Sequence, residues 1–333
     1  MTTTSMLDVP PPGRRAAFSQ GFGQRVLLTV DTEEEFDWTG PFRREGHGLS
    51  HVTAIPRFQA FCERIGAHPV YLVDWPIVQD SRAVEIIGDA VRRGTAEVGV
   101  QLHPWVSPPF DEEVSMHNSF AGNLPPALEA AKFEALRDAI ETAFEAPPLI
   151  YRAGRYGLGP HTAALLKRHG IRVDTSVRSL FDYSHQGGPD YRGHPLAPYW
   201  ADEQRQLLEL PVTSVYSGLL RTFGPALRRS GAKIPRALGA LSRLGLLERI
   251  ALTPEGVSMN EALRGVDLAV ATGLPVMVLS FHSPSLAPGH TRYAPDEAAV
   301  EVLYNWLEAV YSRFAALNVR TCTVAEIIAA TGE

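Results

Sequence analysis

Cysteine is scarce in this chain. Only Cys62 and Cys322 occur among 333 residues, far apart and each within an apolar periodic stretch. This excludes a disulfide framework and a zinc-knuckle spacing, and it marks both as core residues. Long apolar runs are also missing. The longest, such as "LPVMVLSF", have the length of a strand, so no membrane span is expected. Nor is there an excess of positive charge: 31 Lys and Arg against 37 Asp and Glu leave a net charge of -6, a balance that implies no nucleic-acid surface. No phosphate-cradling GxxxxGK loop and no GxSxG nucleophile elbow is present, and "GFGQ" near residue 21 precedes a strand instead of following one. Residues 1–24 carry prolines and glycines but no apolar stretch of signal-peptide length, which predicts a flexible N-terminal arm and a cytoplasmic location.

What is present is an alternation. β-branched runs at 25–31, 69–74, 98–103, 149–153, 171–176, 207–213 and 275–282 are separated by segments of helical period, with 319–323 as an eighth strand or an edge. The segment 127–144 repeats Phe133, Leu136, Ile140 and Phe144 at spacings of three and four, and 296–316 does the same with Leu303, Leu307, Val310 and Phe314. Gly66, Gly94, Gly170 and Gly273 each close a helical stretch ahead of a strand, as left-handed C-terminal caps do. Over 25–333 this predicts an α/β fold, a (β/α) barrel of seven or eight parallel strands, with an open doubly wound sheet as the alternative. Two loop-rich excursions, 104–126 and 177–206, have the length of lids or binding walls. A third, at about 221–250, is basic and reads as helical, with Arg221, Arg228, Arg229, Lys233, Arg236, Arg243 and Arg249. It is a solvated face or a contact for an anionic ligand or another subunit.

In a parallel barrel the carboxyl ends of the strands share one mouth. Here those ends are Asp31, Asp74, His103, Arg152, Asp174, Glu209 and His282, all ionisable. Carboxylates and histidines at one rim suit a divalent metal such as zinc, with a further carboxylate and histidine as base and acid around a bound water. Metal-assisted hydrolysis is the chemistry this set supports.

In order and spacing, "LTVDTEEEFDW", "EVGVQLHPW", "YRAGRYGLG", "RVDTSV" and "LSFHSPSL" resemble the five motifs of the polysaccharide deacetylases (NodB-like, carbohydrate esterase family 4), and among them the WalW-like branch. The resemblance covers about residues 25 to 325. It implies a NodB-like barrel and an enzyme, a hydrolase of carbon-nitrogen bonds other than peptide bonds. Such an enzyme removes an N-acyl group, usually acetyl, from an amino sugar of a surface polysaccharide or its precursor, using a divalent metal of the zinc type.

Carried over by residue, the resemblance makes Asp31 the catalytic base and Arg152 its ion-pair partner. His282 becomes the general acid and Asp174 the residue that orients it. Tyr156 lies at the turn that offers a backbone donor to the oxyanion, and Arg155 and Trp105 are substrate contacts. Glu33, His103 and Gln101 make up the metal set. The chain departs from the pattern twice: Thr32 stands where many members have the metal-binding aspartate, and Gln101 stands where a second histidine is expected. Those departures keep two alternatives open, a metal-free, non-catalytic carbohydrate-binding or assembly protein and an amidase acting on a non-sugar amide. A carbohydrate is the expected partner, with neither nucleic acid nor a membrane span, and a homo-oligomer is left open.

Overall fold

The computed structural model describes residues 5–38, 40–224, 241 and 244–332. Its centre is a curled sheet that starts from β1 (Arg25–Thr32), β2 (Pro69–Val73), β3 (Glu97–Leu102) and β4 (Ile150–Ala153). The far side is built from β5 (Val173–Asp174), β6 (Tyr199–Trp200) and β7 (Leu208–Glu209), and β10 (Val276–His282) flanks β1. The strand order is β10-β1-β2-β3-β4-β5-β7-β6, every pairing parallel except β6 with β7, and a short β11 (Arg320–Thr321) lies against β1. Beyond β7 the chain swings back to β10. A parallel bridge joins Val212 to Val278, and the Thr213 N–H donates to the Val278 carbonyl at 3.1 Å. The result is a distorted parallel barrel, as the alternation of strands and helices predicts.

Alternation along each strand decides which side chains meet inside. Leu27, Val70, Leu72, Ile150, Val173, Leu208, Val276 and Val278 form the interior cluster, and their sequence neighbours Leu28, Tyr71, Tyr151 and Met277 face the helices. The helical layer includes α1 (Ile55–Ile65), α2 (Trp75–Gln79), α3 (Ser81–Arg92), α4 (Pro126–Phe144), α5 (Thr162–Arg168), α6 (Met259–Ala271), α7 (Glu297–Ala316) and α8 (Val324–Thr331). Its contact face is apolar: Phe133, Leu136, Ile140, Leu307, Val310 and Phe314 are fully or almost fully buried. Truncating any one of these to alanine is expected to cost about 2–5 kcal/mol. Gly66, Gly94, Gly170 and Gly273 take φ of 71°, 67°, 79° and 72°, the left-handed conformation the sequence requires of them.

Two expectations need correction. Residues 5–24 are not loose throughout: Met6, Ala16 and Phe22 are buried and the Ala16 N–H donates to the Pro198 carbonyl, while most of the other residues are exposed. Apolar side chains spaced among the prolines supply that packing. The segment read as a basic helix ends instead in a strand. β8 (Ser214–Ser217) and β9 (Glu248–Ala251) form an antiparallel ribbon, where Ile250 and Ala251 are buried. Arg228, Arg229, Lys233, Arg236 and Arg243 lie outside the described residues. Cys62 and Cys322 are free and buried, as expected. No helix among the described residues is long and apolar enough to cross a membrane.

Candidate active site

A cavity of about 1050 Å³ opens at the carboxyl ends of the strands, lined among others by Asp31, Glu33, Gln101, His103, Arg152 and His282. The register explains why they meet. Asp31 pairs with His282 across β1 and β10, and Gln101 pairs with Arg152 across β3 and β4. Paired residues in adjacent strands face the same side.

Asp31 is buried and held by Arg152 through a charge-assisted hydrogen bond. The guanidinium is itself fixed by Ser280 Oγ at 2.7 Å, Thr29 Oγ1 at 2.9 Å and the Thr175 carbonyl at 3.0 Å. The other Asp31 oxygen lies 3.7 Å from His282 Nε2.

The orienting partner of His282 is Glu255, whose Oε2 lies 2.6 Å from His282 Nδ1. Burial opposes a charge on His282, but Glu255, Glu33 and Asp31 outweigh it and hold the imidazole protonated well above its ordinary range. Burial likewise opposes the charge on Glu255, and the facing imidazolium keeps it low. Glu255 arrives by a non-local route. Leu252, just past β9, donates to the Thr213 carbonyl at 3.0 Å and accepts from the Ser280 N–H at 3.2 Å, so the chain enters the barrel seam and delivers residue 255 to the mouth.

Asp174, expected in that role, does not touch His282. Its neighbours Val173 and Thr175 turn inward, so Asp174 faces outward and pairs with Glu209. Its oxygens accept from Ser176 Oγ at 2.6 Å and the Ser176 N–H at 3.3 Å.

His103 is fully buried and presents two different faces. Nδ1 lies 3.0 Å from Glu34 Oε2 and 3.7 Å from Asp74 Oδ2. Glu34 also accepts from Trp105 Nε1 at 2.8 Å, and Asp74 accepts from the Glu34 N–H and caps α2 through the Ile77 N–H. Burial, and then the Glu34 charge, push the Asp74 carboxyl well up, so the two acids share a proton. Nε2 points the other way. It has no hydrogen-bond partner, and neither does the buried Oε1 of Gln101. Glu33 Oε2 lies 3.5 Å from His103 Nε2 and accepts from Gln101 Nε2 at 3.1 Å. Burial drives the Glu33 carboxyl up to about 8, against the opposing pull of His282 and His103.

Glu34, Asp74 and His103 form a buried acid and histidine group able to hold a metal ion. On the Nδ1 side, however, the acids are already occupied by Trp105, by backbone and by each other. His103 Nε2 and the Gln101 amide, whose Oε1 is unpartnered, both adjoin Glu33, and all three residues line the cavity. A ligating imidazole that donates its other N–H to a carboxylate is the usual arrangement at such centres, so the residues fit a divalent cation there. Thr32 faces away from the cavity and donates to the Val30 carbonyl at 2.9 Å, which leaves Glu33 as the inward acid.

Trp105 is corrected from a substrate contact to a support, because it is buried against His103 with ring centroids 4.3 Å apart. Trp38, which the sequence reading passed over, is the aromatic at the mouth, 46% exposed and 6.2 Å from the His282 ring. Tyr183, His290 and Tyr293 also line the cavity, whereas Tyr191, Tyr199 and Trp200 are buried.

Arg155 and Tyr156 both line the cavity and both take left-handed backbone angles, φ 56° and 60°. For residues other than glycine this costs on the order of 1–3 kcal/mol each. The Tyr191 hydroxyl donates to the Tyr156 carbonyl at 2.6 Å and secures the turn. Before it, Gly154 has no room for a side chain, since a Cβ would stand 2.4 Å from His103 Cδ2.

The 104–126 excursion does not line the cavity. Lys132 clasps it from α4, donating to the carbonyls of Pro104, Ser107 and Pro109 at 3.0, 2.6 and 2.6 Å and pairing with Glu112. The 177–206 excursion does form a wall, through Arg178, Tyr183 and Gln186.

No family model matches the chain by sequence, and no curated protein does either. Solved structures do resemble it. A protein of Mycobacterium smegmatis assigned as a polysaccharide deacetylase superposes with a TM-score of 0.54 at 18% identity, over 98% of this chain and 95% of that one. A 4-alpha-glucanotransferase of Thermococcus litoralis superposes with a TM-score of 0.53 at 11% identity, over 92% of this chain and 40% of that one. The likeness is one of fold: a distorted, mostly parallel α/β barrel.

Proposed function

We propose that the chain is a metal-dependent hydrolase of the polysaccharide deacetylase type and of its WalW-like branch. It removes an N-acyl group, acetyl in the simplest case, from an amino sugar of a surface polysaccharide or its precursor. The observation that carries this reading is that His103 Nε2 and the Gln101 amide both meet Glu33 while Nε2 and Gln101 Oε1 are left buried and unpartnered, beside a base and an acid on paired strand ends.

Glu33, His103 and Gln101 would hold the cation. Such a cation, when bound, acidifies a water and polarises an acyl oxygen. The rest of the chemistry falls to the chain. Asp31, held in place by Arg152, takes a proton from the attacking water. His282, kept charged by Glu255, gives a proton from Nε2 to the departing amine nitrogen. The turn at Tyr156 offers a backbone N–H to the developing oxyanion. Trp38 and Tyr183 supply flat apolar faces for a sugar ring.

The test is direct. Purified protein is expected to carry a divalent metal and to release acetate from N-acetylated sugars in a reaction that a chelator stops and added metal restores. Protein with neither metal nor release, under conditions where a related deacetylase works, would refute the reading. It would favour a non-catalytic carbohydrate-binding protein, for which the Gln101 to Glu33 hydrogen bond is the supporting observation. Chelator-resistant release would point instead to a metal-free amidase.

A further inference from the structure

One stretch of the cavity wall is cationic and has no counter-charge. Arg155 and Arg178 both line the cavity, and neither forms an ion pair with any carboxylate among the described residues. Their partners are neutral. Arg155 donates to Ser119 Oγ and Gln186 Oε1, and Arg178 donates to the Tyr183 hydroxyl at 3.2 Å, leaving its buried Nε without a partner.

Aromatic rings hold both guanidinium planes. Arg155 lies 4.2 Å from the Phe120 ring and 5.1 Å from Phe42, and Arg178 lies 3.8 Å from Phe181 and 5.3 Å from Tyr156. The stacked rings of Tyr156 and Tyr183, 5.6 Å apart, join the two sites into one wall. Ring faces fix orientation without neutralising charge. Arg152 shows the contrast, because its charge is matched by Asp31.

Arg155 and Arg178 are half-buried; withdrawing a cation even partly from water without a counter-ion is costly, and in folded proteins such charges are normally paired. Two of them on one wall of a ligand-sized cavity leave the pairing to the ligand. A guanidinium fork matches the oxygens of a carboxylate or a phosphate. Burial pulls the Arg155 guanidinium down to about 10, with only the Tyr183 hydroxyl opposing it; burial opposes the Arg178 charge too, but the Tyr156 and Tyr183 hydroxyls outweigh it and hold that guanidinium up.

We propose that the sugar bound in this cavity carries an anionic group, a carboxylate or a phosphate, and that Arg155 and Arg178 bind it. The proposal rests on the hydrolase reading for the identity of the cavity and extends it to the class of substrate.

The experiment compares three probes on the full chain: N-acetylglucosamine, its 1-phosphate, and N-acetylmuramic acid, which carries a carboxylate. Titration calorimetry reads binding, and acetate release reads turnover. The expected result is binding of at least one anionic sugar about tenfold or more tighter than the neutral sugar, with a gap that narrows as salt is raised. The anion that gains assigns the source. In Arg178→Gln the gap closes, and Arg178→Lys keeps part of it. Arg155→Gln serves as a second variant if Arg178→Gln does not fold, and the wild-type comparison needs no variant.

Equal binding of all three sugars, no binding of either anionic sugar, or a gap that survives in both glutamine variants overturns the proposal. Anion-selective binding without release from any probe keeps this site and removes the hydrolase reading. Release that is indifferent to the anion does the reverse.

Discussion

Two buried carboxylate pairs lie at the same rim of the barrel and have different fates. Glu34 and Asp74 sit behind His103, and Asp174 and Glu209 sit two strands further on. Both pairs share a proton because burial pushes one member of each well up. What separates them is the third partner. The first pair meets an imidazole whose far nitrogen faces the cavity; the second meets only hydroxyl and backbone groups, Ser176 and the Val177 N–H. A perturbed carboxyl therefore marks a functional centre only when something couples it to the cavity.

The contrast can be broken in order of expected effect. Asp31→Asn should lower kcat by about 10²–10⁴, whereas Asp174→Asn should leave kcat in the wild-type range; steady-state acetate release measures both. Glu34→Gln should weaken metal affinity by about 10–100-fold through the misoriented imidazole, and Glu209→Gln should leave it unchanged, as read by metal titration of the stripped proteins.

Glu209 instead bears on stability. Its folded-state pKa lies above the unfolded one, so the folded chain retains a proton the unfolded chain releases, and stability falls as pH rises from the ordinary carboxyl range toward that raised value. Glu209→Gln should flatten this slope by up to about 1.4 kcal/mol per pH unit, seen in denaturant unfolding across pH. The smallest effect is expected from Glu255→Gln. Without that carboxylate the His282 imidazolium loses stabilisation, so the alkaline limb of the rate profile should move down by on the order of one pH unit. A limb that stays in place would remove Glu255 from its role.

Much of this was legible in the chain because the period of apolar residues survives in one dimension. The strand cores, the helices at 126–144 and 297–316 and the glycine caps all follow from it. So does the gathering of Asp31, His103, Arg152 and His282, since parallel strands place their carboxyl ends together. Asp174 was misplaced because gathering at a rim says nothing of which face a side chain takes; the inward Val173 beside it carried that information. Trp105 was misread because a buried indole N–H needs a partner, and Glu34 stands 71 residues away. Glu255 and Arg178 left no local signal, as both reach the cavity on excursions whose paths depend on contacts with distant strands.

The pairing of β1 with β10 has a consequence in folding time. Asp31 and His282 lie about 250 residues apart in sequence and occupy one rung, so the proposed base and acid meet only after the intervening chain has been made and ordered. Contacts of such long sequence separation form late and slowly. A nascent or truncated chain lacking β10 can bury much of its apolar surface yet possess no histidine opposite Asp31. The onset of activity during refolding should therefore trail the recovery of helical signal, and the candidate centre serves as a clock for the last strand to join the sheet.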